Sequence, residues 1–275
     1  MTAHATLTPT LQRSHGEAAV GLAMIDGQVR LRTLRQIGSA KAILPHVAGA
    51  APEVVFLNTS GGLTGGDRLD YRLTLGPGCR ALATTQTAER AYLSGSDGAT
   101  ARVSVSHQVG PGGWLDWLPQ ETILFQGAAL DRHTRIDLAP GAGCLVLEAV
   151  VLGRAAMGET VTRLAFRDTR LIRREGRPIL LEPLYLNDAS LTAGNATLGQ
   201  MRAFASLALV APGAADVLPA VRAVLNEPGV DAAASAFDGK LTLRMLAPDG
   251  WPMRRQIARV LAVLRPGPLP RVWQI

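Results

Sequence analysis

Aromatic residues make up only 4% of this 275-residue chain, so a core built from its 47% apolar content has to be filled by Leu, Val and Ala. Lysine is almost missing as well. Of 28 basic residues only Lys41 and Lys240 are lysines, and the arginines that carry the net charge of +6 are scattered. A pI near 10.1 raises nucleic acid as a partner. The stacking aromatics that single-strand binders interleave with their basic residues are absent, so Arg-mediated nucleic-acid binding stays an alternative and no nucleic acid is expected. Two cysteines, Cys79 and Cys144, stand far apart without a Cys-x-x-Cys pair. That spacing excludes a zinc knuckle and a disulfide scaffold and suits a reducing cytosol. Met1 to Thr10 lacks a basic stretch followed by an apolar one, and the most apolar run, Cys144 to Leu152, is broken by Glu148 and closed by Gly153-Arg154. The expectation is a cytoplasmic protein with no secretory signal and no membrane span.

What the chain has is glycine in pairs. Val54-Val55-Phe56-Leu57 reads as a strand and runs into Asn58-Thr-Ser-Gly-Gly-Leu-Thr-Gly-Gly-Asp67. Glycines 61, 62, 65 and 66 remove nearly every Cβ from this loop, which suits backbone conformations other residues resist. A phosphate loop would end in Gly-Lys-Ser/Thr, whereas Gly66 is followed by Asp67. The dinucleotide fingerprint fails too, because no helical pattern follows. Two tight turns, placed where backbone passes close to backbone or to a partner, are the better reading.

Period two dominates the first two thirds of the sequence. Gly21 to Leu34 alternates about Asp26-Gly27 as an opening hairpin, after a first fifteen residues that look loosely held. Leu69 to Leu75 and Ala81 to Thr87 read as strands, Asp97-Gly98 as another hairpin turn, and Ala101 to Val109 as a strand with His107 on its apolar side. Leu75-Gly-Pro-Gly, Val109-Gly-Pro-Gly and Leu138-Ala-Pro-Gly each end one strand and lead into another at Ala81, Trp114 and Cys144. Pro then Gly suits the centre of a type II turn, and a spacing of about thirty residues suits stacked units. Past Pro183 the period changes. Val217, Leu218, Val221, Val224 and Leu225 share a helical face, Asp238-Gly239 turns a hairpin, and Met253, Ile257, Val260, Leu261 and Leu264 form a second stripe closed by Pro266. The fold expected is mainly β: one domain over residues 1–275, a large stacked-strand body, β-helix-like or sandwich-like. Two α-helices in the C-terminal half belong to a helix-hairpin-helix region at 214–266.

No catalytic set is complete. The nucleophile elbow Gly-x-Ser-x-Gly is missing, which leaves a hydrolase using Asp116, Glu121 or His107 as an alternative. His107 reads as a hydrogen-bonded core residue. Glu148 carries more information, since alternation puts it with Cys144, Val146, Val150 and Leu152 on one buried face. A carboxylate there needs a partner. Arg154 or Arg163 would supply a salt bridge; alternatively Glu148 and Cys144 line a polar passage and hold a divalent metal transiently.

Five blocks in order resemble the UreD family of urease accessory proteins, called UreH in some bacteria. They are Asn58 to Asp67, Thr84-Thr-Gln-Thr-Ala-Glu-Arg-Ala-Tyr92, Leu115-Asp-Trp-Leu-Pro-Gln-Glu-Thr-Ile-Leu-Phe125, Gly153-Arg-Ala-Ala-Met-Gly-Glu159 and Leu269-Pro-Arg-Val-Trp273. The resemblance spans about Gly21 to Trp273. It implies a non-enzymatic chaperone of stacked strands and two helices within a hetero-oligomeric complex. This chaperone docks on the urease apoprotein and recruits UreF, which recruits the GTPase UreG. It also implies a water-filled passage, with nickel in transit and no tightly bound cofactor. The family-like positions for partner binding or passage lining are Asn58, Gly61, Gly62, Gly65, Gly66, Asp67, Thr85, Gln86, Arg90, Pro119 and Arg154.

Overall fold

Three Pro-Gly turns set the rise of the body. Cys79 N–H donates to the Gly76 carbonyl at 3.2 Å, Gly113 to Gly110 at 2.9 Å and Ala142 to Ala139 at 3.1 Å. The second central residue of each, Gly78, Gly112 and Gly141, holds φ of +66°, +64° and +69°. A type II turn requires that sign, and glycine supplies it without strain. The turns also stack on one another, because Gly78 N–H donates to the Pro111 carbonyl at 2.8 Å and Gly112 N–H to the Pro140 carbonyl at 3.0 Å.

The computed structural model describes residues 13–45, 51–95, 98–154, 157–265 and 267–274. In chain order the strands and helices are β1 (His15–Ile25), β2 (Gln28–Gly38), β3 (Ala40–Ile43), β4 (Glu53–Asn58), β5 (Arg68–Leu75), β6 (Arg80–Thr85), β7 (Glu89–Ala91), β8 (Ala101–Val109), β9 (Trp114–Trp117), β10 (Thr122–Leu124), β11 (Ala128–Leu138), β12 (Gly143–Leu152), β13 (Leu164–Arg174), β14 (Arg177–Asn187), α1 (Asp188–Thr192), β15 (Ala203–Val210), α2 (Leu218–Ala223), β16 (Asp231–Phe237), β17 (Lys240–Ala247) and α3 (Gly250–Leu264). Each Pro-Gly turn carries the chain from one sheet to the other. The first sheet has the order β14-β13-β11-β8-β5-β1-β2, and the second runs β16-β17-β15-β12-β9-β6-β4-β3 with β10 and β7 attached beside it. Both centres are parallel and both ends are closed by antiparallel hairpins. The mainly-β expectation holds: a β-helix-like centre lies inside a two-sheet body.

Alternation places the cores. Inward residues of both sheets, including Val20, Leu73, Leu130, Phe56, Trp117, Val146 and Phe166, form one buried cluster. The outward residues of β12, β15 and β17 (Leu145, Leu147, Leu207, Leu243) form a second with Met253, Ile257, Val260 and Leu261 of α3. The stripe read from the sequence is thus the face α3 presents to the second sheet.

Several local expectations shift. Residues 1–12 lie outside the described chain, but Ser14 and His15 are held: Ser14 N–H donates to Asp67 Oδ1 at 2.7 Å and His15 opens β1. Asp97 and Pro266 also lie outside the described residues. The strands either side of Asp97-Gly98 do not pair as a hairpin, because β7 joins β10 in the second sheet and β8 joins β5 and β11 in the first. α2 is shorter than its stripe, and α1, capped by reciprocal Asn187 and Ser190 hydrogen bonds, has no apolar period to announce it.

Candidate functional site

A row of charged residues crosses the space between the sheets. β11 alternates inward through Leu130, Arg132, Thr134 and Ile136, so its apolar face carries one arginine and one threonine. Register then writes the row across neighbouring strands. In the first sheet Arg132 lies opposite Asp168, and Thr134 opposite Arg170, which lies opposite Glu182. In the second, Glu148 lies opposite Ser206, and Ser206 opposite Arg244.

Buried charges at these positions require partners. The Arg132 guanidinium forks onto Asp168, Nε to Oδ1 at 3.0 Å and Nη2 to Oδ2 at 2.8 Å. Its Nη1 lies 2.8 Å from Glu148 Oε2 and donates to Thr122 Oγ1 at 3.0 Å. Glu148 Oε1 accepts from Trp117 Nε1 at 3.1 Å and from Thr134 Oγ1 at 3.2 Å. Further along, Arg170 stands 3.8 Å from Asp168 and 3.6 Å from Glu182, which accepts from Ser206 at 3.1 Å and from Arg244 at 2.8 Å. Burial pushes the Glu148 carboxyl up and its contact with Arg132 only partly reverses that. Burial acts on Asp168 too, yet the two-point grip of Arg132 holds its carboxyl below the usual range. Sequence reasoning paired Glu148 with Arg154 or Arg163. The partner is Arg132, which lies in the facing sheet.

Above this floor is a cavity of about 90 Å³, room for a few water molecules. Arg132, Glu148, Thr122 and Trp117 line its depth, and Asn58, Gly61, Gly62, Thr85, Gln86, Arg90 and Pro119 line the rest together with Glu89. The glycine loop, the Thr-rich block and the Trp-Leu-Pro block therefore meet at one opening. Gly62 sits at φ +146°, and a Cβ there would strike the Tyr92 ring. Asn58 braces the loop by accepting from Ser60 N–H at 3.0 Å and donating to the Gly62 carbonyl at 3.3 Å. Its amide also reaches Glu89 at 3.3 Å. Burial pushes the Glu89 carboxyl up to about 7, against hydrogen bonds from Arg90 N–H and Asn58.

The remaining singled-out residues lie elsewhere. Asp67 accepts from Thr64 N–H at 2.8 Å and from Ser14, Gly66 packs against Arg13, and a Cβ on Gly65 would strike the Ala99 carbonyl, so these three tie the loop down. Arg154 stacks over the Phe125 ring at 4.9 Å and donates to Glu159 at 2.9 Å, beside a separate groove with Tyr92 and Leu93. Cys144 is fully buried, with its thiol pushed up to about 12 by burial. Four residues of strand put it roughly 13 Å from Glu148, so the two cannot hold one ion. Among the described residues no three His, Cys, Asp or Glu side chains gather into a cation site. The hydrolase trio does not converge either. Asp116 accepts from Arg265 at 2.7 Å, Glu121 reaches Arg254 at 3.4 Å, and His107 is buried in the core, edge-on to the Trp117 ring at 4.7 Å, with no well-formed hydrogen bond to either nitrogen among the described residues, contrary to expectation.

Glu89, Arg132, Asp168, Arg170 and Glu182 escaped the sequence reading. The signal was present for Arg132, Asp168 and Arg170, which fall on the apolar side of alternating strands as Glu148 does. At the far end the sheets part into a groove of about 570 Å³, lined by Leu184, Leu186, Phe204 and Met245 with Arg170, Glu182 and Arg244 at its polar side. A small pocket between them has Thr134, Arg170 and Glu182 as its polar members in an otherwise apolar lining, and Arg170 and Glu182 also line the groove.

Residues 14–274 match the family model described as UreD urease accessory protein. The urease accessory protein UreD of Cereibacter sphaeroides is 68% identical over 273 residues, covering 98% of each chain. That of Paracoccus denitrificans is 58% identical over 267 residues, covering 96% of this chain and 94% of its own. That of Rhizobium leguminosarum bv. trifolii is 45% identical over 267 residues, covering 96% of both. No described helix is long and apolar enough to cross a membrane. With a family model spanning almost the whole sequence and relatives this similar along their full lengths, the chain belongs to the UreD family of urease accessory proteins.

Proposed function

We propose that this chain is a cytoplasmic, non-enzymatic scaffold for urease maturation. It docks as a single-domain chaperone on the urease apoprotein, recruits UreF and through it the GTPase UreG, and gives nickel a path to the urease metallocentre. Family membership supports the maturation role. The observation that supports the passage is the chain of polar contacts from Glu148 at the cavity floor through Arg132, Asp168 and Arg170 to Glu182 at the far groove.

Nickel is cargo on this reading, not a resident cofactor. A divalent cation crossing between two sheets needs oxygen donors that exchange readily, and Glu89, Glu148, Asp168 and Glu182 supply carboxylates along the row. Arg132 and Arg170 offset their charge, so no position is an attractive trap. The test is nickel-dependent activation of apo-urease co-expressed with this chain, UreF and UreG. Thr87→Trp adds bulk at an exposed position of the cavity mouth, and Glu148→Gln neutralises the floor. Both variants should keep the complex in pull-down and lose activation. Full activation by both, with the complex intact, would remove the passage; failure of the wild type to associate would remove the scaffold.

A further inference from the structure

The strand at the other end of the first sheet has no use in the passage. β2 is the terminal strand and pairs only with β1 among the described residues. Of its eleven residues, Gln28-Val-Arg-Leu-Arg-Thr-Leu-Arg-Gln-Ile-Gly38, all but Val29 are exposed. Long exposed edges of this kind template the pairing of another strand and are usually blunted.

Its two faces argue for an occupant. Leu34 lies opposite Val20 and Leu31 opposite Leu22, so both continue the inner, apolar face of the first sheet. Val20 and Leu22 are covered; Leu31 and Leu34 stay 45% and 43% exposed, and Met24 on β1 is 45% exposed. The second sheet ends at β3, only four residues long, and leaves this part of the hairpin overhanging. β2 also carries Arg30, Arg32 and Arg35 and no carboxylate; Arg35 reaches back to Glu17 of β1 at 3.4 Å, which leaves Arg30 and Arg32 to face an incoming charge. The register break at Gly21/Leu22 sets Arg32 aside as the extra residue of a bulge.

We propose that β2 accepts an added strand from an acidic protein partner, an extended segment with apolar residues at every second position. Main-chain hydrogen bonds would join the free edge, the apolar residues would cover Leu31 and Leu34, and the carboxylates would meet Arg30 and Arg32. Charge selects this occupant over a second copy of the chain, since antiparallel pairing of β2 with itself would bring the arginine clusters together. The apolar strip and free backbone edge select it over nucleic acid, whose phosphates need neither. The inference does not rest on the nickel passage. Six strand spacings, about 29 Å, separate β2 from β14 at the far groove.

The probe is an eleven-residue peptide alternating Glu and Val, matched in length to β2. A Lys and Val peptide and a single-stranded oligonucleotide serve as controls. Binding to the full chain is read by fluorescence anisotropy and by amide hydrogen exchange. The acidic peptide should bind and protect amides of residues 28–38. The double variant Arg30→Glu, Arg32→Glu, altered only at exposed positions and leaving the Arg35–Glu17 pair intact, should bind it about tenfold more weakly while melting as the wild type does. Absence of protection, equal binding by the double variant, tighter binding of the oligonucleotide, or self-association through β2 would each overturn the proposal.

Discussion

Arg132 and Glu148 face each other from opposite sheets at 2.8 Å, and the same guanidinium grips Asp168 with two hydrogen bonds. One side chain thus balances two carboxylates in a space shared with Phe166, over whose ring the guanidinium sits at 5.6 Å. Arg132→Met keeps the volume and removes the charge, leaving Glu148 and Asp168 buried without their common partner. Loss of one member of such a group costs roughly 3–5 kcal/mol. Urea titration should show a lower midpoint with an unchanged slope, and Arg132→Lys, unable to fork, should fall between the variant and the wild type.

His107 makes the opposite case. Its ring is fully buried between Phe56 and Trp117, neither nitrogen makes a well-formed hydrogen bond among the described residues, and burial lowers its pKa from 6.5 to about 3 against a weak opposing contact with the Ser106 backbone. Between those values the unfolded chain binds a proton that the folded chain does not. Stability therefore falls as pH drops through that window. His107→Phe should match or exceed the wild type at pH 7, by about 1 kcal/mol, because an unsatisfied polar ring is exchanged for an apolar one. The difference should widen at pH 5 in thermal melts.

Glu89 carries the reverse sign. Burial at the cavity raises its carboxyl from 4.5 to about 7, so in that interval the folded chain holds a proton that the unfolded chain has released. Stability contributed there is present at low pH and lost as pH rises towards 7. Glu89→Gln removes the ionisation. Its melting temperature relative to wild type should climb from pH 5 to pH 8; a constant difference would mean that the carboxyl titrates normally.

The paired glycines are not equivalent. Gly61 holds φ +80° with nothing within 4 Å of where a Cβ would stand, whereas at Gly65 a Cβ would strike the Ala99 carbonyl and the Ser94 hydroxyl. Gly61→Ala should cost about 1 kcal/mol through backbone strain alone. Gly65→Ala forces backbone apart and should cost up to roughly 3 kcal/mol. Comparing the two by chemical denaturation separates strain from close approach.

Much of this architecture is written in local periods. The three Pro-Gly turns, the Asp26-Gly27 and Asp238-Gly239 hairpins and the α3 stripe each follow from neighbours in sequence, and Glu148 stood out because one charge interrupted an apolar face. What alternation could not give was the order of strands. Glu148 on β12 meets Arg132 on β11 because a Pro-Gly turn moves the chain into the facing sheet between them. The arginines further along the same run, Arg154 and Arg163, are both exposed and lie on another surface. Glu89 was invisible for a related reason: its environment comes from Asn58, 31 residues away, through a loop whose path depends on four glycines.

The C-terminal block shows how a remote segment shapes the cavity. Trp273 is 5% exposed, its Nε1 donates to the Leu118 carbonyl at 3.0 Å, and the Arg254 guanidinium lies 4.6 Å over its ring. Arg254 in turn donates to Gln120 Oε1 at 2.7 Å, and Gln120 donates to the Val272 carbonyl at 3.1 Å. Pro119 and Gln120 form part of the cavity wall, so the tail holds that wall in place. Trp273→Ala should cost about 3–5 kcal/mol from the void it leaves. Trp273→Phe keeps most of the ring and loses only the hydrogen bond, about 1 kcal/mol. If the tail acts on the cavity, activation of urease by the Ala variant should fall further than the amount of folded protein does, measured at a temperature where both variants are folded. Activation that tracks the folded fraction in both would make the tail a matter of stability alone.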